Sequence, residues 1–214
     1  IHDGGLQYLE SEGIEVLRKF GITYDQLLDE IEDINGLIVR NMVPINRQLI
    51  EKGKNLKAIA MNGIGLNHID TAFAKEKGIA VLNCPEGSTN SVAELTVGIM
   101  LAVCRKICSS FDHVKGGGWE KNSYIGTQLN GKTLGIVALG RIGSRVAKIC
   151  QAIGMDVIAF DPYCPENIAR EMNVRLVSID ELITEADVIS IHAPLTSETE
   201  GMLSDNEIAK MKAG

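Results

Sequence analysis

The chain has 214 residues, 45% of them hydrophobic and 23% charged, ordinary values for a globular protein with room for one large or two small domains. A net charge of −7, with no basic stripe carrying interleaved aromatics, argues against a nucleic-acid partner. The longest apolar run, Thr96–Cys104, is too short to span a bilayer, and no signal peptide is visible, although the chain begins at Ile1 rather than methionine.

The first 85 residues alternate helical and strand patterns. Gln7–Phe20 and Thr23–Ile31 read as helices, and Leu37–Arg40 as an apolar strand. A short helix over Ile45–Lys52, a strand over Leu56–Ala60, a helix over Ile69–Lys77 and a strand over Ile79–Leu82 follow. This alternation implies a parallel sheet, and residues 1–86 read as one domain whose first strand would lie upstream of Ile1.

Residues 87–214 read as a second domain. Ser91–Cys108 reads as one long helix, opened by a capping box at Ser91 and Glu94. It is apolar on nearly every face, which predicts burial between domains or subunits. Gly116–Gly118, before Trp119, form a loop. The five cysteines (Cys84, Cys104, Cys108, Cys150, Cys164) read as buried, reduced thiols of a cytoplasmic protein. Cys104 and Cys108 would share a helix face but lack the second pair that a zinc site requires, so no metal site is expected.

A strand at Leu134–Ala138, a helix at Arg141–Ile153 and a strand at Val157–Phe160 form the next unit. A helix at Pro165–Met172 and a strand at Val174–Val177 follow. Ser178 and Glu181 cap a further helix, Asp187–His192 is a strand, and Ser204 and Glu207 cap a last helix running to Gly214. That helix should feed another strand, so this domain also reads as incomplete.

The most informative stretch is Gly135–Gly143 (GIVALGRIG), with Asp161 standing 18 residues after its last glycine. A strand, a glycine-rich turn, a helix and a second strand ending in a carboxylate make the layout of a dinucleotide-binding βαβ unit. The helix N-terminus offers free N–H groups to a pyrophosphate, and the carboxylate accepts ribose hydroxyls. Asp161 argues for NAD over NADP, because it would repel a 2′-phosphate; a turn residue before Pro162 is its alternative reading. Ala138 stands where the first glycine of G-x-G-x-x-G normally makes the tight turn. A P-loop is excluded, since no Lys-Ser/Thr follows the glycines.

With these residues in hand, the chain resembles the D-2-hydroxyacid dehydrogenase family, and within it the D-3-phosphoglycerate dehydrogenase branch. The segments that carry the resemblance are LIVR (37–40), NGIGLNHID (62–70), SVAEL (91–95), GGWE (117–120), GKTLGIVALGRIG (131–143), DPY (161–163) and HAPLTSET (192–199). The resemblance implies two doubly wound α/β domains around a cleft, a flavodoxin-like substrate domain and a Rossmann-type NAD domain. It implies hydride transfer between NAD and a small 2-hydroxy or 2-oxo acid. 3-Phosphoglycerate, the entry to serine synthesis, leads the substrates, ahead of glyoxylate, hydroxypyruvate and lactate-type acids.

Carried over residue by residue, the resemblance gives the backbone N–H groups of Ile64 and Gly65 to the substrate carboxylate and Arg40 to its phosphate. Gly140, Arg141 and Ile142 go to the pyrophosphate and Asp161 to the ribose. His192, Ala193 and Pro194 line the cofactor near the nicotinamide half, with His192 a contact rather than the proton donor. The family's catalytic arginine, glutamate and histidine match segments beyond Gly214, so the chain taken alone is expected to be inactive. Met61 stands where the branch often has a second arginine, Asn41 replaces a common serine, and Asn67 replaces an aspartate, though Asp70 remains. His68 and His113 read as surface or loop histidines without a role. A homodimer through the Ser91–Cys108 helix is expected. The other readings are an NAD-sensing binding protein, as in transcriptional corepressors that resemble these dehydrogenases, and an inactive fragment with exposed sheet edges.

Overall fold

The computed structural model describes residues 3–40 and 43–213; Asn41, Met42 and Gly214 lie outside the described residues, as do the first two. Contacts divide the chain into two α/β units, Ile1–Ser88 and Thr89–Gly214, each built on a parallel sheet.

The first unit opens with α1 (Asp3–Ser11) and α2 (Tyr24–Glu30). The expected helix over Gln7–Phe20 stops early because Gly13 adopts φ +77°. Gly13 N–H then returns to the Glu10 carbonyl and Ile14 N–H to that of Leu9, which closes the helix end. Residues 14–19 continue outside regular structure, with Arg18 paired to Asp3 and Glu10. α2 starts where expected, on a full capping box between Thr23 and Gln26.

Strand β1 (Gly36–Val39), α3 (Arg47–Lys52), β2 (Ala58–Met61), α4 (Thr71–Glu76) and β3 (Ala80–Asn83) complete this unit. The strands pair in parallel in the order β1-β2-β3, with Val39 opposite Met61 and Met61 opposite Asn83. Ile31, Ile45, Leu49 and Ile59, all fully buried, form its core with Met61 and Phe73.

The second unit begins with α5 (Thr89–Cys104) and α6 (Ile107–Lys115) in place of the single expected helix. The break is tertiary in origin. The Cys104 carbonyl accepts the N–H of Thr127 at 2.7 Å, and Lys106 takes up φ +52°. Cys104 and Cys108 therefore belong to different helices. The Ser91 capping box is also absent as a cap, since α5 begins two residues earlier. Nor is α5 buried all round: Ala93, Val97 and Met100 are buried, while Leu95, Ile99 and Val103 are 62%, 55% and 71% exposed.

Four parallel strands follow, β4 (Thr133–Val137), β5 (Asp156–Phe160), β6 (Arg175–Leu176) and β7 (Val188–Ile191). The helices between and after them are α7 (Arg141–Ala152), α8 (Glu166–Glu171), α9 (Ile179–Glu185) and α10 (Asp205–Lys210). The sheet order is β6-β5-β4-β7. Both its faces are covered, which is why β4 and β5 read as unbroken apolar runs. Leu134, Ile136, Val157 and Ala159 join the cluster with α7 residues Val146, Ala147 and Cys150, whereas Val137 and Ile158 pack on Leu182 of α9. Gly135 lies on the α9 face, where a Cβ would stand 2.8 Å from Leu182 and 2.9 Å from Ala186.

All five cysteines are free, but of these only Cys150 is buried; Cys84 and Cys108 are exposed. Burial pushes the Cys150 thiol up to about 11. Among the described residues no helix is long and apolar enough to cross a membrane.

Candidate functional site

The chain leaves β4 for β5 and β6 on one side of the sheet, and β7 returns on the other side of β4. Loops from neighbouring strands thus diverge at the carboxyl end of β4, the position where open α/β sheets hold ligands. Three of the expected segments meet there: 138–143 after β4, 161–164 after β5 and 192–203 after β7.

The turn after β4 is tight. Ala138 has φ +71°, a left-handed conformation that costs a non-glycine residue about 1–2 kcal/mol. Two bonds to the end of β5 and the residue after it hold it there: Ala138 N–H donates to the Phe160 carbonyl at 2.9 Å, and Leu139 N–H donates to Asp161 Oδ2 at 2.8 Å. Helix α7 follows at close range. A Cβ on Gly143 would stand well inside contact distance of the Ala138 carbonyl oxygen, so only glycine fits that position.

Gly140 is the N-cap of α7 and has no side chain to satisfy the first turn. The N–H groups of Gly140, Arg141, Ile142 and Gly143 have no acceptor among the described residues; the first bond into the helix is Ser144 N–H to the Gly140 carbonyl, 2.9 Å. A Cβ on Gly140 would meet nothing within 4 Å, so the backbone is open to a closely approaching group. Arg141 is exposed, and its guanidinium has no partner among the described residues. A cation at a helix N-terminus opposes the helix dipole, and a bound anion would reverse that penalty. These features fit a dinucleotide pyrophosphate.

Asp161 fills the turn role that its sequence context permits and leaves one carboxylate oxygen open to a further donor. Oδ1 accepts the N–H groups of Tyr163 (2.9 Å) and Cys164 (3.1 Å), which makes it a turn residue. Oδ2 accepts one N–H, that of Leu139, and so keeps a lone pair for a hydroxyl.

His192 follows β7, and its N–H donates to the Val137 carbonyl at 2.8 Å. Its Nε2 lies 2.9 Å from Ser190 Oγ, and burial lowers its pKa, so the imidazole is neutral near pH 7. Ala193 packs into the cluster around Val137 and Leu182, and Pro194 is exposed. The Pro194 carbonyl accepts Thr199 Oγ1 at 2.6 Å. Ala193 and Pro194 also line a small cavity of about 220 Å³ with Leu195, Thr199 and Met202.

A larger cavity, about 710 Å³, opens at the opposite end of the sheet, beside Thr133, Asp156, Asn173 and Arg175. It lies at the amino ends of the strands and gathers none of the free backbone donors, so its size does not make it the dinucleotide site.

In the first unit, Arg40 and the 62–65 loop both leave the carboxyl end of the β1-β2-β3 sheet. Arg40 is exposed, and its side chain has no partner among the described residues. The loop is anchored by Asn62 N–H on the Val39 carbonyl (2.8 Å) and by Asn83 Nδ2 on the Ile64 carbonyl (2.9 Å). The N–H groups of Ile64 and Gly65 have no acceptor among the described residues, and a Cβ on Gly65 would meet nothing within 4 Å. Such a pair of free amides suits a carboxylate. Met61, at the position of a common second arginine, is buried in the core, and Asp70 caps α4 through Phe73 N–H (2.9 Å). Asn41 falls outside the described residues.

Two histidines depart from expectation. His113 is on α6, where its ring packs on Tyr124 (5.0 Å between centroids) and Nε2 accepts the Glu120 N–H at 3.2 Å. It thereby organises the Gly116–Gly118 loop. His68 lies in a loop as expected, but its Nε2 is buried with no partner among the described residues. Tyr163 and Glu198 lie in the DPY and HAPLTSET segments, but nothing in the sequence pairs them. Their side chains bond at 2.8 Å across 35 residues of sequence, a separation that carries no local signal.

The model of the D-isomer specific 2-hydroxyacid dehydrogenase NAD binding domain matches residues 97–214. A D-3-phosphoglycerate dehydrogenase of Methanocaldococcus jannaschii is 43% identical over 99% of this chain and 40% of its own length. A hydroxypyruvate reductase of Thermotoga maritima is 45% identical over 96% of this chain and 66% of its own. Among solved structures, D-lactate dehydrogenase of Aquifex aeolicus in complex with NAD and lactic acid superposes with a TM-score of 0.86 at 32% identity, covering 100% of this chain and 64% of that one. The chain spans about two fifths of the phosphoglycerate dehydrogenase that it matches.

The strained turn and the close helix approach predict opposite outcomes for two glycine–alanine exchanges. Ala138→Gly relieves the left-handed strain and raises stability to urea by up to about 1 kcal/mol, after the greater flexibility of unfolded glycine is allowed for. Gly143→Ala forces the helix off the turn and costs about 1–3 kcal/mol. Equal effects of the two would contradict the geometry.

Proposed function

The chain belongs to the D-isomer specific 2-hydroxyacid dehydrogenase family, and from that premise we propose that its second unit holds NAD while its first holds a small 2-hydroxy or 2-oxo acid. The observation that carries this reading is the open first turn of α7: four unpartnered backbone N–H groups, a glycine cap with free space around it, and an unpaired arginine. When bound, NAD supplies hydride exchange with the C2 of the acid.

The chain's own residues bind and orient. The N–H groups of Gly140, Arg141 and Ile142 and the Arg141 guanidinium neutralise the pyrophosphate. Asp161 Oδ2 accepts a ribose hydroxyl on its remaining lone pair while Leu139 N–H keeps the carboxylate aimed. The neutral His192, with Ala193 and Pro194, lines the cofactor toward its nicotinamide half without adding a positive charge there. In the first unit, the amides of Ile64 and Gly65 hold the acid's carboxylate and Arg40 meets a second anionic group.

Arg40 favours 3-phosphoglycerate as the acid, with hydroxypyruvate next. The names of the two relatives divide in the same way. Met61 contributes no second cation, so recognition of the phosphate rests on Arg40. A second copy of the chain is the proposed cover for the exposed Leu95, Ile99 and Val103 face of α5, and a cytoplasmic location suits the free thiols.

Titration calorimetry tests the cofactor half. Arg141→Ala removes no hydrogen bond or ion pair among the described residues, yet is expected to weaken NADH binding by about fivefold, roughly 1 kcal/mol. An unchanged affinity would remove Arg141 from the site. Steady-state kinetics of the full-length protein test the substrate half. Arg40→Ala should raise KM for 3-phosphoglycerate by about tenfold or more while changing that for hydroxypyruvate by less than about twofold. Equal changes for both acids would count against phosphate recognition by Arg40.

A further inference from the structure

Tyr163 stands in the turn after β5 and Glu198 in the loop after β7, and β4 lies between those strands. Adjacent strands are about 4.8 Å apart, so the two loops leave the sheet about 10 Å from one another, on either side of the Ala138–Gly140 turn. A single side-chain bond bridges them: Tyr163 Oη donates to Glu198 Oε2 at 2.8 Å.

Both ends of the bridge are fixed. The Tyr163 N–H donates to Asp161 Oδ1 at 2.9 Å, so tyrosine and aspartate move as one turn. On the other side, Thr196 N–H donates to Thr199 Oγ1 at 2.8 Å and Glu198 N–H donates to Thr196 Oγ1 at 3.3 Å. Tyr163 as a whole is 78% exposed, so burial of apolar area does not explain its placement. Its hydroxyl pKa is raised, first by the hydrogen bond to Glu198, then by that carboxylate's charge, with burial and Asp161 adding to the shift. The phenol therefore stays protonated and Glu198 stays the acceptor.

We propose that Glu198, held by Tyr163, is a second cofactor-selecting carboxylate, which with Asp161 gives the adenosine end of the site a doubly negative rim that admits a ribose 2′-hydroxyl and rejects a 2′-phosphate. This rests on the reading that the loops after β4, β5 and β7 hold NAD. Glu198 is a positioning and selecting residue: it acts through its charge and through the tyrosine, with no part in hydride transfer. A 2′-phosphate is close to doubly negative at neutral pH, so a second carboxylate within about a Debye length adds to the repulsion from Asp161.

Dissociation constants for NADH and NADPH, measured on the unaltered chain and on Glu198→Gln and Tyr163→Phe, test this. Glutamine can still accept the tyrosine's hydrogen bond but carries no charge. The ratio of the NADPH to the NADH constant is therefore expected to fall by about three- to tenfold in Glu198→Gln. Tyr163→Phe keeps both carboxylates and loosens the loop. It should weaken both cofactors by similar factors, leave their ratio within about twofold, and speed amide exchange over residues 195–200. A merely structural Glu198 would leave the ratio within about twofold in Glu198→Gln as well, and such a result overturns the proposal. No NADH binding by the unaltered chain would overturn the NAD reading and this inference with it, whereas NADH binding with an unmoved ratio in Glu198→Gln defeats the inference alone.

Discussion

The Asp161 carboxylate gathers backbone N–H groups from two loops, Leu139 after β4 and Tyr163 and Cys164 after β5. Charge-assisted bonds of this kind are stronger than neutral ones and fix direction as well as distance. They clamp the end of one strand to the end of its neighbour, and the Ala138–Gly140 turn can then enter α7 only along one path. The free amides of α7 point where they do because that turn is held from the side. Everything proposed for the dinucleotide follows from this clamp.

The arrangement carries local costs, and all of them fall at the same spot. Ala138 occupies a left-handed conformation, Gly143 lies under its carbonyl, and Arg141 sits at the unfavourable end of a helix dipole. Strain concentrated where loops converge on a strand end is typical of ligand sites, since the surrounding fold must over-determine it. Here the surrounding fold is a sheet packed on both faces, with Ile136 fully buried toward α7 and Val137 nearly so toward α9. The rigid support and the strained turn are consecutive in the chain, at the end of β4.

Much of this was legible in the sequence because it is local. The strand, the turn, the helix and the second strand lie within Thr133–Asp161, and the Ser178 and Ser204 capping boxes announce their helices within four residues. What misled was non-local or conformational. The helix expected over Ser91–Cys108 breaks because Thr127, far along the chain, takes the Cys104 carbonyl. The helix expected over Gln7–Phe20 ends on a glycine whose positive φ periodicity cannot register. Of the five thiols expected inside, Cys150 is buried, Cys104 and Cys164 are half-buried, and Cys84 and Cys108 are exposed, because burial depends on how each segment meets the sheet. The Tyr163–Glu198 bridge, between residues 35 apart, could be found only in the fold.

If the first turn of α7, held by Asp161, receives the pyrophosphate, NADH must be felt there before anywhere else. Backbone amide resonances of the chain, followed by NMR as NADH is added, address it most directly. The largest shifts are expected on Gly140, Arg141, Ile142 and Gly143, with smaller ones at 161–164 and 192–196. Shifts centred instead on the larger cavity, around Asp156, Asn173 and Arg175, with residues 140–143 unmoved, would contradict it.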